Sequence, residues 1–166
     1  KQPAVFNFYT KQVTRLAKHG IYYLEIAGNH NLPKKSGVGC YLETLGRFPM
    51  VKTVYKGVYE AHEIPGHDVV VHCVPSTFSK EILVDSLNQV KPVPGKINIG
   101  IGHFGVSTIP HYAEIAENGL VVSLDQLIQC QMDYFALGDY HFFTDFGHHI
   151  YYPGSTERMG FGEIEH

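Results

Sequence analysis

The chain has 166 residues, with 13 Lys and Arg against 16 Asp and Glu and a formal net charge of −3. That length suits one domain with a real core, and 44% hydrophobic against 17% charged residues excludes a disordered polar chain. No apolar run approaches the ~20 residues of a membrane helix. The N-terminal stretch lacks the apolar core and cleavage site of a signal peptide, and no overall basic charge announces nucleic acid.

The three cysteines, Cys40, Cys73 and Cys130, are odd in number and far apart, with no C-x-x-C spacing. They indicate neither a disulfide framework nor a zinc knuckle, so a reducing, cytoplasmic location is the default expectation. Eleven histidines is an unusual count. Histidine is the commonest metal ligand, although most of the eleven must be ordinary.

Residues 4–19 carry Val5, Phe8, Val13 and Leu16 at helical spacing with Gly20 behind, an amphipathic helix with a glycine stop. Lys11, Arg15 and Lys18 share a spacing that reads first as a solvated face. "IYYLEIA", residues 21–27, is rich in strand formers. Helix, short turn and apolar strand form the second half of a βαβ unit. The first half has no counterpart, so the chain is expected to begin inside a domain.

"GNHNLPKKSG", residues 28–37, reads as a loop. Ser36 is expected to cap a short helix reaching Leu45. Residues 50–55 and 67–74 predict strands, the second closed by Pro75. Ser76 or Ser79 is expected to cap a helix reaching about residue 89, and residues 90–96 form a surface connection. "INIGIGH", residues 97–103, predicts a buried strand whose Gly100 and Gly102 allow close backbone approach. Short helices are expected over 110–116 and 123–130, and strands over 134–137 and 149–152. Several fully apolar strands mixed with helices favour an α/β fold over an all-β one.

Three strands share one grammar. "IYYLEIA" ends in Gly28-Asn29-His30-Asn31, "INIGIG" ends in His103, and "YFALG" ends in Asp139-Tyr140-His141. In layered α/β folds, ligands bind outside the carboxyl ends of strands. Three such ends would bring Asn29, His30, His103, Asp139 and His141 together. An amide oxygen, imidazoles and a carboxylate suit manganese, iron or zinc better than an all-oxygen calcium site. Taken singly, a histidine after a strand is more often a hydrogen-bonded core or surface residue, and Asn29 more often a turn former. It is the repetition of the placement that carries the joint reading.

"GNHN", "GH" and "GDYH" in this order resemble the calcineurin-like metallophosphoesterases, which carry Asp-x-His, Gly-Asp, Gly-Asn-His-Asp/Glu, a lone His and Gly-His-x-His. The tail "YYPGSTERMGFGE" is similar to the segment after the last metal motif in the DNA double-strand-break repair exonuclease branch, whose nuclease subunit partners an SMC-like ATPase. The resemblance covers nearly the whole chain, residues 1–166. It implies a layered αββα fold, two packed mixed sheets flanked by helices, with the N-terminal βαβ half missing. It also implies phosphodiester hydrolysis across two divalent ions, manganese first with iron or zinc as alternatives. The partners implied are DNA or another phosphodiester, an SMC-like ATPase and a homodimer, with no membrane.

Residue by residue, Asn29 and His103 match ligands of the second ion. His141 matches a ligand of the first, and His30 the histidine that protonates the leaving oxygen. Asp139 stands where the family usually has a histidine, and Asn31 where it has an acid that orients His30. Asp-x-His and Gly-Asp have no counterpart. Their absence leaves three readings open: a repair nuclease, a phosphoesterase acting on nucleotides or phosphoproteins, and a non-catalytic scaffold. Phosphate contacts by Ser155 or Arg158, and a nucleic-acid backbone contact by Lys34 and Lys35, are weaker expectations than a turn and a solvated charge pair.

Overall fold

The structure, a computed structural model, describes residues 3–32, 39–113 and 119–157. Ser36, Lys34, Lys35 and Arg158 therefore lie outside the described residues.

Helix α1 (Pro3–Lys18) opens on a proline, whose preset φ and missing N–H suit a first turn. The chain leaves it through Gly20, at φ 72°. Its packed face runs through Phe6, Tyr9, Val13 and Ala17. The expected face was one step off: Val13 is buried, but Val5 and Phe8 are 57% and 66% exposed. The anchor responsible is Tyr9, whose hydroxyl lies 2.6 Å from that of Tyr23 and donates to the Glu25 carboxylate. Lys11, Arg15 and Lys18 are exposed, as a solvated face requires.

Strand β1 (Tyr23–Ile26), helix α2 (Tyr41–Leu45) and strand β2 (Val51–Val54) follow, with β1 and β2 paired in parallel. Cys40, not Ser36, occupies the N-cap of α2 and makes no side-chain cap bond. Next come β3 (Glu60–Glu63), β4 (Val69–Val74) and α3 (Lys80–Gln89). Ser79 caps α3 by accepting from the Ile82 N–H. Ser76 instead lies buried after β4, its N–H bound to the Ala27 carbonyl at 2.8 Å. Strand β5 (Ile97–His103) leads through β6 (Gly105–Val106), α4 (Pro110–Ala113) and β7 (Val121–Val122) to α5 (Leu124–Gln129), which starts at a Ser123–Gln126 capping box. Strands β8 (Tyr134–Gly138), β9 (Phe143–Asp145) and β10 (Ile150–Pro153) complete the described chain.

The fold is α/β. A mixed six-stranded sheet has the order β3-β4-β5-β8-β10-β9, with four parallel strands in the middle and an antiparallel strand at each edge. The edge strand β3 escapes a reading by apolar pattern because it is "EAHE"; such charges protect an edge from further pairing. Glu60 there meets Lys52 at 3.2 Å. β9 was equally invisible, being three residues long.

One face of the sheet, through Val74, Phe135, Leu137, Ile150 and Tyr152, packs on α3 and α5. The connection after α3 lies at the surface over residues 91–96, as expected, but its first residue, Val90, is fully buried in this core. Val71, Cys73, Ile99 and Ile101 on the other face meet Leu24, Ile26 and Val54 of the β1–β2 pair. The outer side of that pair packs on α1 and α2.

The cover over the second face stops halfway. β1 lies over β5, and Lys52 of β2 reaches Glu60 of β3, so the edge of β1 that is unpaired among the described residues lies on the side away from β3. Leu24, Ile26, Ile99 and Ile101 are only partly buried there. Beyond them Tyr151 stacks between Tyr134 and Phe143, at ring separations of 5.6 and 6.5 Å. Tyr134 is 41% and Phe143 70% exposed.

Gly100 and Gly102 do admit a close neighbour, but it is an aromatic ring rather than backbone. A Cβ on Gly100 would lie 2.7 Å from the Phe135 ring, and one on Gly102 2.5 Å from the Phe104 ring. Gly100→Ala is therefore expected to overpack this core and lower stability by about 1–3 kcal/mol, read as a lower urea midpoint.

Candidate functional site

The site is built where strands end. Gly28 to His30 follow β1, His103 closes β5, and Gly138 to His141 follow β8. β5 and β8 are adjacent and parallel, in a register that sets His103 opposite Gly138. Ser76, after β4, sits on the same rim. All five residues singled out in the sequence, Asn29, His30, His103, Asp139 and His141, line one open cavity of about 260 Å³. Asn29, His103 and Asp139 also line an adjoining cavity of about 200 Å³ with Ser76 and Tyr112.

The centre of the arrangement is the His103 ring, which is held in a slot. A Cβ on Gly28 would lie 2.7 Å from its Cε1, and a Cβ on Gly138 2.8 Å from its Nδ1. Both glycines are thus needed for close approach: only bare backbone fits on either side. From this slot Nε2 points into the cavity, 3.4 Å from the Asp139 Oδ1. It is buried yet has no hydrogen-bond partner, so the contact is a close approach of two donor atoms rather than an aligned bond. Buried polar atoms are rarely left so.

Asp139 is held on three sides. Its backbone adopts φ 108°, a strained conformation for any side chain. Its Oδ2 accepts a 2.8 Å hydrogen bond from the Tyr112 hydroxyl, and its Oδ1 faces His103. Burial alone pushes its carboxyl pKa up. The contacts with His103 and Tyr112 and the charges on His103 and His141 outweigh burial and hold it below the ordinary carboxylate value. The same contact acts in reverse on Tyr112: burial and the bond to the carboxylate raise its phenol pKa.

His30 and His141 stand at the exposed lip of the cavity. Asn31, which stands where the family has an acid, is engaged in the turn itself. Its oxygen accepts from the Gly28 N–H at 3.1 Å, its NH2 donates to the Tyr41 hydroxyl, and its N–H bonds the Gly28 carbonyl at 2.9 Å, closing the turn that presents Asn29. The tail fastens His141: the Ser155 N–H donates to the His141 carbonyl at 2.9 Å. A Cβ on Gly154 would lie 3.0 Å from that same oxygen. The turn at residues 153–156 is thus a brace for the loop that carries His141.

The donor set can be tested against a divalent ion. Two ligands about 2.0–2.1 Å from one ion, at angles between square and tetrahedral, lie roughly 2.8–3.4 Å apart. The His103–Asp139 separation of 3.4 Å falls at the upper end of that range, and Nε2 has no hydrogen-bond partner. Asn29, exposed, lines the same cavities. Among the described residues no group of three or more His, Cys, Asp or Glu is gathered tightly enough to hold a metal, so a complete ligand set of those types is not present among them.

Two residues escaped the sequence reading. Ser76 lies buried on the wall with an unpartnered hydroxyl. Its only signal was its place at another strand end, and it was read as a helix cap. Tyr112 lies nine residues past His103, where nothing local marks it. Conversely, His72 shows an ordinary histidine: it is buried, with Nδ1 2.8 Å from the Tyr59 hydroxyl and Nε2 3.1 Å from the Asn98 oxygen.

No protein-family model matches the chain. The chain is similar to the DNA double-strand break repair protein Mre11 of Sulfurisphaera tokodaii, with 30% identity over 161 residues. That match takes in 93% of this chain and 39% of the relative. The chain thus spans well under half the length of the relative it matches.

Two outcomes follow from this geometry. Gly138→Ala should push the His103 ring out of its slot, weakening divalent-ion uptake while the far-ultraviolet circular dichroism spectrum is retained. Asp139 should also contribute to acid stability. Its folded pKa is depressed, so its contribution is full above the ordinary carboxylate pKa and is lost as pH falls through the lower folded value. Urea unfolding between neutral pH and that acid window should show a flatter pH dependence in Asp139→Asn than in the parent.

Proposed function

We propose that the chain is the distal part of a metal-dependent phosphoesterase core, most of all a DNA-repair nuclease acting on phosphodiester bonds. The observation that carries this is the convergence of Asn29, His30, His103, Asp139 and His141 on one cavity at the ends of three strands, with an unpartnered imidazole nitrogen 3.4 Å from a carboxylate. The likeness to a DNA double-strand break repair protein supports DNA as the substrate class.

In this reading Asn29, His103 and Asp139 hold one divalent ion, and His141 contributes to a second with ligands from outside these residues. Manganese suits the mixed nitrogen and oxygen donors, with iron or zinc as alternatives. Such ions supply Lewis-acid polarisation of a phosphoryl oxygen and lower the pKa of water. The chain's own part is to place and protonate. His30, at the open lip, gives a proton to the leaving oxygen. The slot around His103 fixes ligand direction, and the tail brace keeps His141 at the rim.

The proposed architecture is a layered αββα fold, supported by the packing order of helices, small sheet, large sheet and helices. Further strands would pair on the free edge of β1 and cover Tyr134, Tyr151 and Phe143. The proposal extends to DNA as substrate, and to an SMC-like ATPase and a second copy of the chain as partners. A reducing, cytoplasmic setting suits three buried free thiols. Among the described residues no helix is long and apolar enough to cross a membrane.

A second reading is a binding or scaffolding module without catalysis, favoured by the lack of a tight cluster of three ligands among the described residues. Calorimetric titration with Mn2+ separates the two. The nuclease reading expects uptake that His103→Ala abolishes. It also expects Mn2+-dependent cleavage of duplex DNA that appears only when the chain is joined to a segment supplying the remaining carboxylates. Equal cleavage with and without that segment would overturn the two-ion account. No uptake in either form would leave the scaffold.

A further inference from the structure

Tyr112 belongs to none of the strand-end motifs, yet it is tied to the centre of the site. It sits in the four-residue helix α4 and is 7% exposed. Its ring is seated against the backbone of Gly105, where a Cβ would come within 2.7 Å of ring carbons. The Tyr140 ring meets it edge-on at a centroid distance of 5.8 Å. The phenol therefore has little freedom to swing, and its hydroxyl meets Asp139 Oδ2 at 2.8 Å.

A carboxylate at the end of a short side chain turns easily about its last torsion, whose profile is broad and roughly two-fold. Left alone, Asp139 could present either oxygen, or a mixture, to a neighbour. Here the symmetry is broken. One oxygen is tied to Tyr112, and the other is left 3.4 Å from the vacant nitrogen of His103. The backbone of Asp139, at φ 108°, removes the compensating freedom at the other end of the side chain. An ionised carboxylate only accepts, so the phenol is the donor.

We infer that Tyr112 is a positioning residue for Asp139: its hydroxyl captures Oδ2 and thereby aims Oδ1, with His103 Nε2, at a single divalent cation. The inference rests on the metal-site reading above and adds to it a residue from outside the motifs. Groups that hydrogen-bond a metal ligand in this way set its direction, and their loss commonly weakens metal affinity about 10- to 100-fold.

Tyr112→Phe keeps the ring and removes only the hydroxyl. In the 166-residue chain, titrated with Mn2+ by calorimetry and with Co2+ by visible absorption, this variant should bind about 10- to 100-fold more weakly. It should also shift the Co2+ bands, because the carboxylate enters the ligand field at a different angle. In an Asp139→Ala background, Tyr112→Phe should cause no further loss, since its effect runs through that carboxylate. A purely structural tyrosine would lower the unfolding temperature and leave affinity and spectrum unchanged; that result overturns the inference while the metal site stands. No uptake by the parent chain overturns both. Should Tyr112→Phe fail to fold, 3-fluorotyrosine at position 112 keeps the ring and strengthens the donor. The Co2+ bands then shift if Tyr112 acts on Asp139, and an unshifted spectrum overturns the inference.

Discussion

One imidazole held between two glycines organises the upper end of this molecule. The His103 ring fills the gap between Gly28, after β1, and Gly138, at the end of β8, and a methyl group on either would collide with it. β1 belongs to the small sheet and β8 to the large one, so the contact also fixes how the two sheets meet at that end. Everything nearby follows from the slot. Asn29 and His30 are presented by the turn that starts at Gly28. Asp139, strained at φ 108°, follows Gly138 directly, and Nε2 lies at the cavity without a hydrogen-bond partner.

The cost of such a centre is local and visible. A buried nitrogen goes without a hydrogen bond, a buried serine hydroxyl does the same, and an aspartate sits at φ 108°. Each is unfavourable in isolation, the backbone alone by about 1–3 kcal/mol. They persist because the rest is well satisfied: His72 uses both ring nitrogens, and the fully buried Tyr152 donates to the Phe104 carbonyl at 2.5 Å. Of the three buried side-chain atoms without a partner among the described residues, His103 Nε2 and Ser76 Oγ line the cavity and Thr77 Oγ1 is the neighbour of Ser76 in the chain.

The exposed aromatic ladder has a different origin. Tyr134, Tyr151 and Phe143 lie on the sheet face that the β1–β2 pair covers only in part. An apolar face beside an unpaired strand edge is where an additional strand both buries surface and satisfies backbone groups. At the site, likewise, no group of three or more His, Cys, Asp or Glu is gathered tightly enough to hold a metal among the described residues.

Much of this was legible in the residues. Apolar strands closing on Gly-Asn-His, His and Asp-Tyr-His set the α/β class and the five cavity residues, because strand ends in such sheets converge by topology. Local chemistry also gave a short helix from Ser123 and offered Ser79, beside Ser76, as the cap of α3. Three kinds of information were not local. The face of α1 was settled by a tyrosine hydroxyl reaching another strand, against the pattern of Val5 and Phe8. The edge strand β3 was hidden because its charges answer to solvent, not to a core. Tyr112 came to Asp139 across 27 residues of chain. A sequence by itself determines which segments are apolar enough to be strands and what chemistry their ends carry. Only packing decides which oxygen of a carboxylate is tied down, which nitrogen is left vacant and which ring fits between two glycines. Those depend on distances between atoms that the chain order leaves far apart.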